Sequence, residues 1–458
     1  MRLASLLGPD IKQILKEDPE QVRELFDEIH AEDLADIISE LEPDEAAALL
    51  ARLPAEEAAD IFERLDDHEQ EELVATMPPE SVAHIASEME IDERADFFSA
   101  LPEDVGTKLM LTLARVDPEA AKEVREIEKW PDSSAGHMMT TTYVAVKPEM
   151  TVGDAMAMVR TRAKENHEFV YTAYALDGET LVGVASLRDL ISHESVDKLR
   201  DVMTTNIISV LPTLDQEEVA RRMAKYDLNA MPVVDDRGHL LGVITIDDVV
   251  DVLVQEQTED VQKIGGVEPL DVPYFQTSFL SFIRKRAVWL VALFIGEFFT
   301  QTALRHYDAV FTAIHGAAYY VPLLISAGGN SGSQSSTLVI RGLAIGEIRA
   351  KDFLRILVRE TLMGLVLGGI LGVIGFGRVL MYGDQSVRFA LTVGLTLIGI
   401  CVTGCTVGSM IPLLLKKLGL DPATSSTPFI ASLVDVLGII VFVHIAKMVM
   451  GAVLSGAL

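Results

Sequence analysis

Pro322-Leu-Leu-Ile-Ser-Ala-Gly-Gly-Asn-Ser-Gly-Ser-Gln334 interrupts an otherwise apolar region with three glycines, an Asn, a Gln and several hydroxyls. Hydrocarbon offers such groups no hydrogen-bond partner. Polar, glycine-broken backbone at membrane depth survives only where protein buries it or where it lines a wet cavity. The stretch therefore predicts a pore or transport site. It holds no carboxylate, so Pro322, Gly328, Gly329, Gly332 and Gln334 are expected to shape a pore wall while another group supplies charge.

Around it lie five apolar segments, at 287–304, 309–340, 354–382, 387–415 and 429–454. All but the first exceed the roughly 20 residues that span a bilayer, and the first comes close. Basic residues orient them: Arg284, Lys285 and Arg286 precede the first, Arg341, Arg349, Lys351 and Arg355 follow the second, and Lys416 and Lys417 follow the fourth. The opposite loops hold only Arg305, Arg378 and Arg388. The positive-inside rule then puts the N-terminus in the cytoplasm and the C-terminus outside. Few acids enter these segments: Glu297, Glu360 and Asp435. Acids in a membrane are costly and mark an ion path or a buried partner. Asp435, in Ser432-Leu-Val-Asp435-Val-Leu-Gly438, has no base within one helical turn and reads as functional. Glu360 adjoins Arg359, so an ordinary ion pair stands beside the functional reading. Asn330 and Glu360 join Asp435 as candidate pore-side metal ligands.

The 458 residues suggest about three domains. The formal charge of −31 is unevenly placed: from residue 275 onward there are 14 Lys and Arg against 8 Asp and Glu, a net +6, and before it 24 against 61, a net −37. An acidic half of this kind repels nucleic acid and attracts cations. The two cysteines, Cys401 and Cys405, are one turn apart. That spacing does not suit a disulfide, and they read as small packing residues. No cleavable leader is evident after Met1, so the acidic half is expected in the cytoplasm. No nucleophile–base set appears, and Gly328-Gly-Asn-Ser-Gly lacks the Lys of a phosphate-binding loop, so an enzyme is the least favoured class.

Within the first 134 residues Ile29, Leu41, Leu53, Leu65, Met77, Met89 and Leu101 recur every 12 positions. Most are followed by Pro or acids, which suits a helix start. Short helices joined by tight turns predict an α-solenoid, each unit buried by its neighbours. A second repeat follows at 135–253. Met139-Thr140 recurs as Met203-Thr204, and Gly183-Val184-Ala-Ser186-Leu-Arg-Asp189 recurs as Gly242-Val243-Ile-Thr245-Ile-Asp-Asp248. β-rich runs alternate with helical patterns in both copies, an α/β signature. The pair, at about 135–200 and 201–253, resembles tandem CBS domains, which regulate and in many families bind adenine nucleotides such as ATP. That resemblance implies ribose contacts at Ser186, Asp189 and Thr245; the other reading is that Asp189 and Asp248 cap the next helix.

Acids crowd the second copy and an expected connecting helix at 254–275. Asp248 and Asp251 are three apart, and Glu256, Glu259 and Asp260 share a helix face. No Lys or Arg falls between 247 and 262, so relief is not local, and Mg2+ or Ca2+ with carboxylate and water ligands is the natural remedy.

Pro322-x5-Gly328-Gly-Asn-Ser-Gly-x-Gln334, Arg359-Glu360 and Asp421-Pro-Ala…Pro428…Asp435, behind an acidic short-helix domain and a CBS pair, resemble the MgtE family of magnesium channels. The resemblance implies a multidomain homodimer in the cytoplasmic membrane, its five-helix all-α transmembrane domain at 276–458. It implies that the two copies of Asp435 bind hydrated Mg2+ on the two-fold axis. It also implies cytosolic Mg2+ sites at Asp60, Asp92 and Asp248 between helical and CBS domains. Further sites would lie at Asp215, Glu217, Asp227, Asp251, Glu256, Glu259 and Asp260 between the CBS pair and its plug helix. Closure by cytosolic Mg2+ is the mechanism expected. Charge pairs at 4 Å are worth about 1 kcal/mol in water and roughly 4 kcal/mol at intermediate dielectric, so several bridged pairs reach the ~5.5 kcal/mol that inverts a two-state population. Two rivals stand: a cation-coupled exchanger in which Asp435 cycles protons, and a membrane-tethered Mg2+ or nucleotide sensor that conducts nothing.

Overall fold

The 12-residue period is the period of helix starts. In the computed structural model, which describes residues 29–165, 171–270, 274–275, 277–382 and 386–454, seven helices begin at intervals of 12. They are α1 (Ala31–Ile38), α2 (Pro43–Leu50), α3 (Ala55–Phe62), α4 (Asp67–Thr76), α5 (Pro79–Glu88), α6 (Ile91–Ala100) and α7 (Glu103–Val116), with α8 (Pro118–Ile127) after them. Each recurring apolar residue stands just before a helix cap, where it fixes the entry of the chain. Leu41, Leu65, Met77, Met89 and Leu101 are buried there. Acids fill every first turn, complementing the helix dipole. Helices this short do not persist alone. Each packs on the next but one: α1 on α3, α3 on α5, α5 on α7, and α2 on α4, α4 on α6, α6 on α8.

The second repeat folds as two interlocked halves. In the first, β1 (Val144–Val146) runs parallel to β2 (Thr172–Asp177), which pairs antiparallel with β3 (Thr180–Ser186). They carry α9 (Val152–Glu165), α10 (Leu187–Ser192) and α11 (Leu199–Val202). In the second, α12 (Gln216–Tyr226) precedes the antiparallel pair β4 (Ala230–Val234) and β5 (Leu240–Thr245). The repeated Met-Thr and Gly-Val pairs meet across the halves. Thr140 bridges Val243 of the second half, and Thr204 bridges Val184 of the first. A Cβ on Gly242 would lie 2.6 Å from the Thr140 carbonyl oxygen, so the repeat needs glycine there. One core joins Ile91, Ala95 and Ile127 of the helical layer to Met138, Val219, Met231 and Ile244.

The expected boundary at 253/254 falls inside a single helix. α13 runs Ile246–Ile264, so Asp248 and Asp251 share a continuous rod with Glu256, Glu259 and Asp260. It also stops earlier than 275, because Gly266, at φ 71°, turns the chain away.

The remaining described residues form long helices: α14 (Phe279–His306), α16 (Ala317–Ala344), α17 (Phe353–Met381), α18 (Val387–Lys417) and α19 (Thr427–Leu454), with the short α15 (Asp308–Ala313). Four of these, α14, α17, α18 and α19, are long and apolar enough to cross a membrane. α16 equals α14 at 28 residues but carries the polar stretch and is not one of the four. Two expectations change here. The apolar run 309–340 is divided, since Gly316 at φ 79° separates α15 from α16. The stretch 322–334 is not broken: it is helical throughout, with Pro322 inside α16. Intrahelical bonds satisfy the backbone, and the glycines serve contact between helices instead.

α18 packs on α16, α17 and α19. Facing α17, a Cβ on Gly364 would lie 2.6 Å from the Val402 Cα and one on Gly368 2.7 Å from the Ile398 Cα. Facing α16, a Cβ on Gly404 would lie 2.5 Å from the Gly328 carbonyl oxygen, and one on Gly408 would meet the Gly332 carbonyl. Close backbone approach through small residues is how helices associate where lipid is as apolar as they are. Gly404→Ala should therefore push α18 off α16 and cost about 1–3 kcal/mol, the usual penalty of overpacking. Gly369→Ala meets nothing within 4 Å and should be neutral. Thermal unfolding of both variants in detergent checks the difference; equal melting would refute the backbone contact.

Candidate ion pathway and acidic cluster

Asp435 lies two to three turns into α19. A Cβ on Gly329 of α16 would sit 3.9 Å from its Oδ1. Its charged neighbour is Glu297 of α14, a like charge, and α14 meets α19 where Gly296 faces Ser432. Among the described residues no ion pair or hydrogen bond holds the Asp435 carboxylate. Beside it, α16 presents Ser326, Asn330 and Gln334 at four-residue intervals on one exposed face; Asn330 Nδ2 donates to Ser326 Oγ at 3.5 Å. The adjoining face is a buried hydroxyl strip. Ser331 donates to the Gly328 carbonyl at 3.1 Å, and Ser335 donates to Glu360 Oε2 at 2.6 Å. Glu360 thus takes a hydroxyl from α16 rather than the neighbouring Arg359, because the two side chains leave a helix about 100° apart.

In the N-terminal residues the acids converge where the helical layer meets the second half-repeat. Asp248, in the first turn of α13, accepts from Thr245 Oγ1 at 2.6 Å. Burial pushes its carboxyl up to about 6, the Thr245 hydroxyl opposes that, and Asp247 and Asp251 add to it. Glu93 of α6 is pushed well above the ordinary carboxylate range, by burial first and then by Asp96, Glu63, Asp248 and Glu90. Burial also raises Glu63, against the pull of Arg64. Asp92 is buried beside them. Two bases stand at the margins. Arg64 holds Asp60 at 2.6 Å and Glu63 at 2.9 Å. His137 Nε2 lies 2.8 Å from Asp96, whose charge raises the imidazole above its usual value despite burial.

Other expected site residues have local work. Asp215 caps α12 through the Glu217 amide at 3.0 Å, Glu217 pairs with Arg221 at 2.7 Å, and Asp227 ends α12 in the left-handed conformation at φ 52°. Ser186 and Asp189 form a capping box on α10. Glu259 pairs with Lys263, one residue beyond the base-free run, so relief there is local after all. Sequence reading missed Glu63, Glu93, Asp96 and His137, which come together only through packing of α6. Among the described residues no group of three or more His, Cys, Asp or Glu is gathered tightly enough to hold a metal by itself.

Residues 29–133 match the family described as the MgtE intracellular N domain, residues 135–195 and 199–255 match the CBS domain, and residues 321–445 match the MgtE divalent cation transporter. A magnesium transporter MgtE of Thermus thermophilus is 38% identical over 339 residues, covering 74% of this chain and 75% of that protein. The chain belongs to the MgtE family. An MgtE of Enterococcus faecalis is 33% identical, with 72% of each chain covered. The solved soluble part of a magnesium transporter superposes with a TM-score of 0.52 at 32% identity, over 55% of this chain and 99% of that one. The cytosolic domain of an Mg2+ channel MgtE, solved in complex with ATP, gives 0.50 at 36% identity, over 54% of this chain and all of that one. The chain carries, in order, the helical layer, the CBS pair, α13 and the apolar helices.

A carboxyl raised in the folded state favours folding fully below its free value of 3.8 and loses that contribution as pH rises through about 6. Metal-free protein should therefore lose stability between pH 4 and pH 6, by on the order of 1–2 kcal/mol from this group, and Mg2+ should restore it at neutral pH. Asp248→Asn should flatten that loss. Melting curves across this range, with and without Mg2+, read it; an unchanged pH slope in Asp248→Asn would exclude the carboxylate from the cluster.

Proposed function

We propose that this chain carries Mg2+ across the cytoplasmic membrane as a homodimer, along a path lined by Asp435, and that cytosolic Mg2+ closes it. The observation that carries the reading is the unpaired Asp435 carboxylate beside the exposed Ser326, Asn330 and Gln334 face of α16. Exposed amides at membrane depth are satisfied by water or by a second copy of the chain. Two copies related by a two-fold would set two such faces and two Asp435 carboxylates against one aqueous path. Mg2+ sheds water reluctantly and prefers one or two carboxylates with several waters, which suits a path without a closed protein cage. Asn330 would contact the hydrated ion, and Glu360 would support the wall through Ser335. The relatives' names, magnesium transporter, point the same way.

Closure follows from the cytosolic acids. With Mg2+ scarce, Glu63, Glu93, Asp96 and Asp248 repel one another; with Mg2+ plentiful, bridging at Asp92 and Asp248, with Asp60 nearby, draws the solenoid of short helices onto the CBS pair. Asp215, Glu217, Asp227, Asp251, Glu256 and Asp260 would bind further ions along α12 and α13. An adenine nucleotide at Ser186–Asp189 or Thr245–Asp248 would add a second input, as a relative's cytosolic domain was solved with ATP. The N-terminus lies in the cytoplasm and the C-terminus outside.

In proteoliposomes Asp435→Ala should lower Mg2+ flux at least about tenfold, equivalent to about 1.4 kcal/mol. Unchanged flux would end the proposal, and flux that collapses with the proton or sodium gradient at fixed voltage would replace it with an exchanger. The double substitution Asp248→Asn, Asp251→Asn should leave Mg2+ current flowing at cytosolic concentrations that silence the wild type; normal closure would remove the gating scheme while leaving transport intact.

A further inference from the structure

The C-terminal end of α13 is docked at two separate points on the turn that begins α19. Lys263 Nζ lies 2.7 Å from Asp421 Oδ2 and also pairs with Glu259 one turn back on its own helix. Asp421 opens the 3-10 turn Pro422–Thr424, where its other oxygen accepts from the Ala423 amide at 2.8 Å. Both oxygens of Asp421 are therefore engaged, one inside the turn and one on α13. Three residues past Lys263, a Cβ on Gly266 would lie 3.3 Å from Pro428 Cγ and 3.5 Å from Ser426 Oγ. Ser426 is fully buried and its hydroxyl accepts from the Phe429 amide at 3.4 Å, capping α19. Gln262 closes the segment from the other side, its side-chain oxygen accepting from the Leu270 amide at 2.7 Å.

This contact stands on a helix that begins elsewhere. Asp248 and Lys263 belong to one uninterrupted α13, about 22 Å apart at 1.5 Å per residue. Asp435 lies nine residues beyond Ser426 along α19, about 14 Å. A shift of α13 along or about its axis reaches the start of α19 only if the two are tied. An ammonium between two carboxylates supplies that tie, and the glycine contact keeps it close.

We propose that Lys263 is a positioning residue for gating: its ammonium latches α13 to Asp421, so that the cytosolic state of α13 is delivered to the helix that carries Asp435. The latch rests on the transport reading above, and it assigns Lys263 and Asp421 to transmission and not to ion binding. Lys263 stands in for a cation at Glu259, so this end of α13 is held by charge the chain itself carries, at any Mg2+ concentration.

Full-length protein in proteoliposomes tests it through the cytosolic Mg2+ concentration that halves flux. Lys263→Met and Asp421→Asn (which keeps the cap on Ala423) should each raise that concentration about fivefold or more, the range of ordinary coupling between sites. The double variant should be no worse than either alone, since both remove one interaction. Lys263→Arg should behave as wild type. Midpoints equal to wild type in the single variants, or additive shifts in the double, would overturn the latch. Hydrogen exchange gives a readout independent of transport: the peptide 262–270 should exchange faster in Asp421→Asn than in wild type. Should the wild type itself fail to move Mg2+, the transport reading fails, and unchanged exchange at 262–270 would then dispose of the latch on its own.

Discussion

Backbone contact between α16 and α18 is the constraint on which the rest of the membrane unit depends. Between apolar helices in lipid no hydrophobic drive remains, and association rests on close van der Waals contact and on hydrogen bonds. Gly404 and Gly408 let α18 meet the carbonyls of Gly328 and Gly332, while Gly364 and Gly368 let α17 close on its other side. Ile430, at the start of α19, then touches the same place: a Cβ on Gly332 would lie 3.0 Å from its Cγ2. With the helices that near, the hydroxyls of α16 find partners inside the unit, Ser335 on Glu360 and Ser331 on its own backbone. The amides of Asn330 and Gln334 are left on the outer face. Position in the bundle, not polarity, separates buried from exposed polar side chains in one stretch of sequence.

The acids of the N-terminal residues are disposed of in three ways, and the third is the informative one. Some cap helices, as Asp66, Asp117 and Asp215 do. Some pair with bases, as Asp60 does with Arg64 and Glu217 with Arg221. The cluster of Glu63, Glu93, Asp96 and Asp248 has more acids than Arg64 and His137 can answer. Burial and like charge both raise a carboxyl, and both disfavour the ionised form. A fold that tolerates this holds a free-energy reserve which a dissolved cation can release. On the reading proposed above, Mg2+, with its demand for few carboxylates and many waters, would release it without a preformed cage.

How much of this was legible in the sequence follows from the range of the interactions. The 12-residue recurrence of Leu41, Leu65 and Met77 located helix starts because capping and entry are local. The Met-Thr and Gly-Val recurrences located the two half-repeats because the same bridge, Thr140 to Val243 and Thr204 to Val184, is made in both. Asp435 stood out because an acid without a neighbouring base is visible along one helix. The stretch 322–334 suggests a break because glycine and Asn signal turns in water; in a helix bundle the same residues signal close packing. Adjacency suggests Arg359 as the partner of Glu360, yet the hydroxyl it accepts from is 25 residues away on α16. Glu93 and Glu63 could not be foreseen: their convergence on Asp248 depends on how α6 lies against the second half-repeat.

α13 is where the local and the long-range meet. Its first turn holds Asp248, whose carboxyl is costly to ionise, its last turn holds Lys263, and just past its end Gly266 rests on Pro428. A flexible linker with the same charges would bring ions near but transmit nothing, because each doubling of loop length costs so little that no force builds up. A continuous helix differs, since every residue is fixed to the next turn by a backbone bond and an axial shift at one end is an axial shift at the other. The run from 247 to 262 holds no Lys or Arg. The single Lys at its end keeps the far end attached to Asp421. Charge is thus placed unevenly along one helix, with a buried acid in its first turn and a paired base in its last.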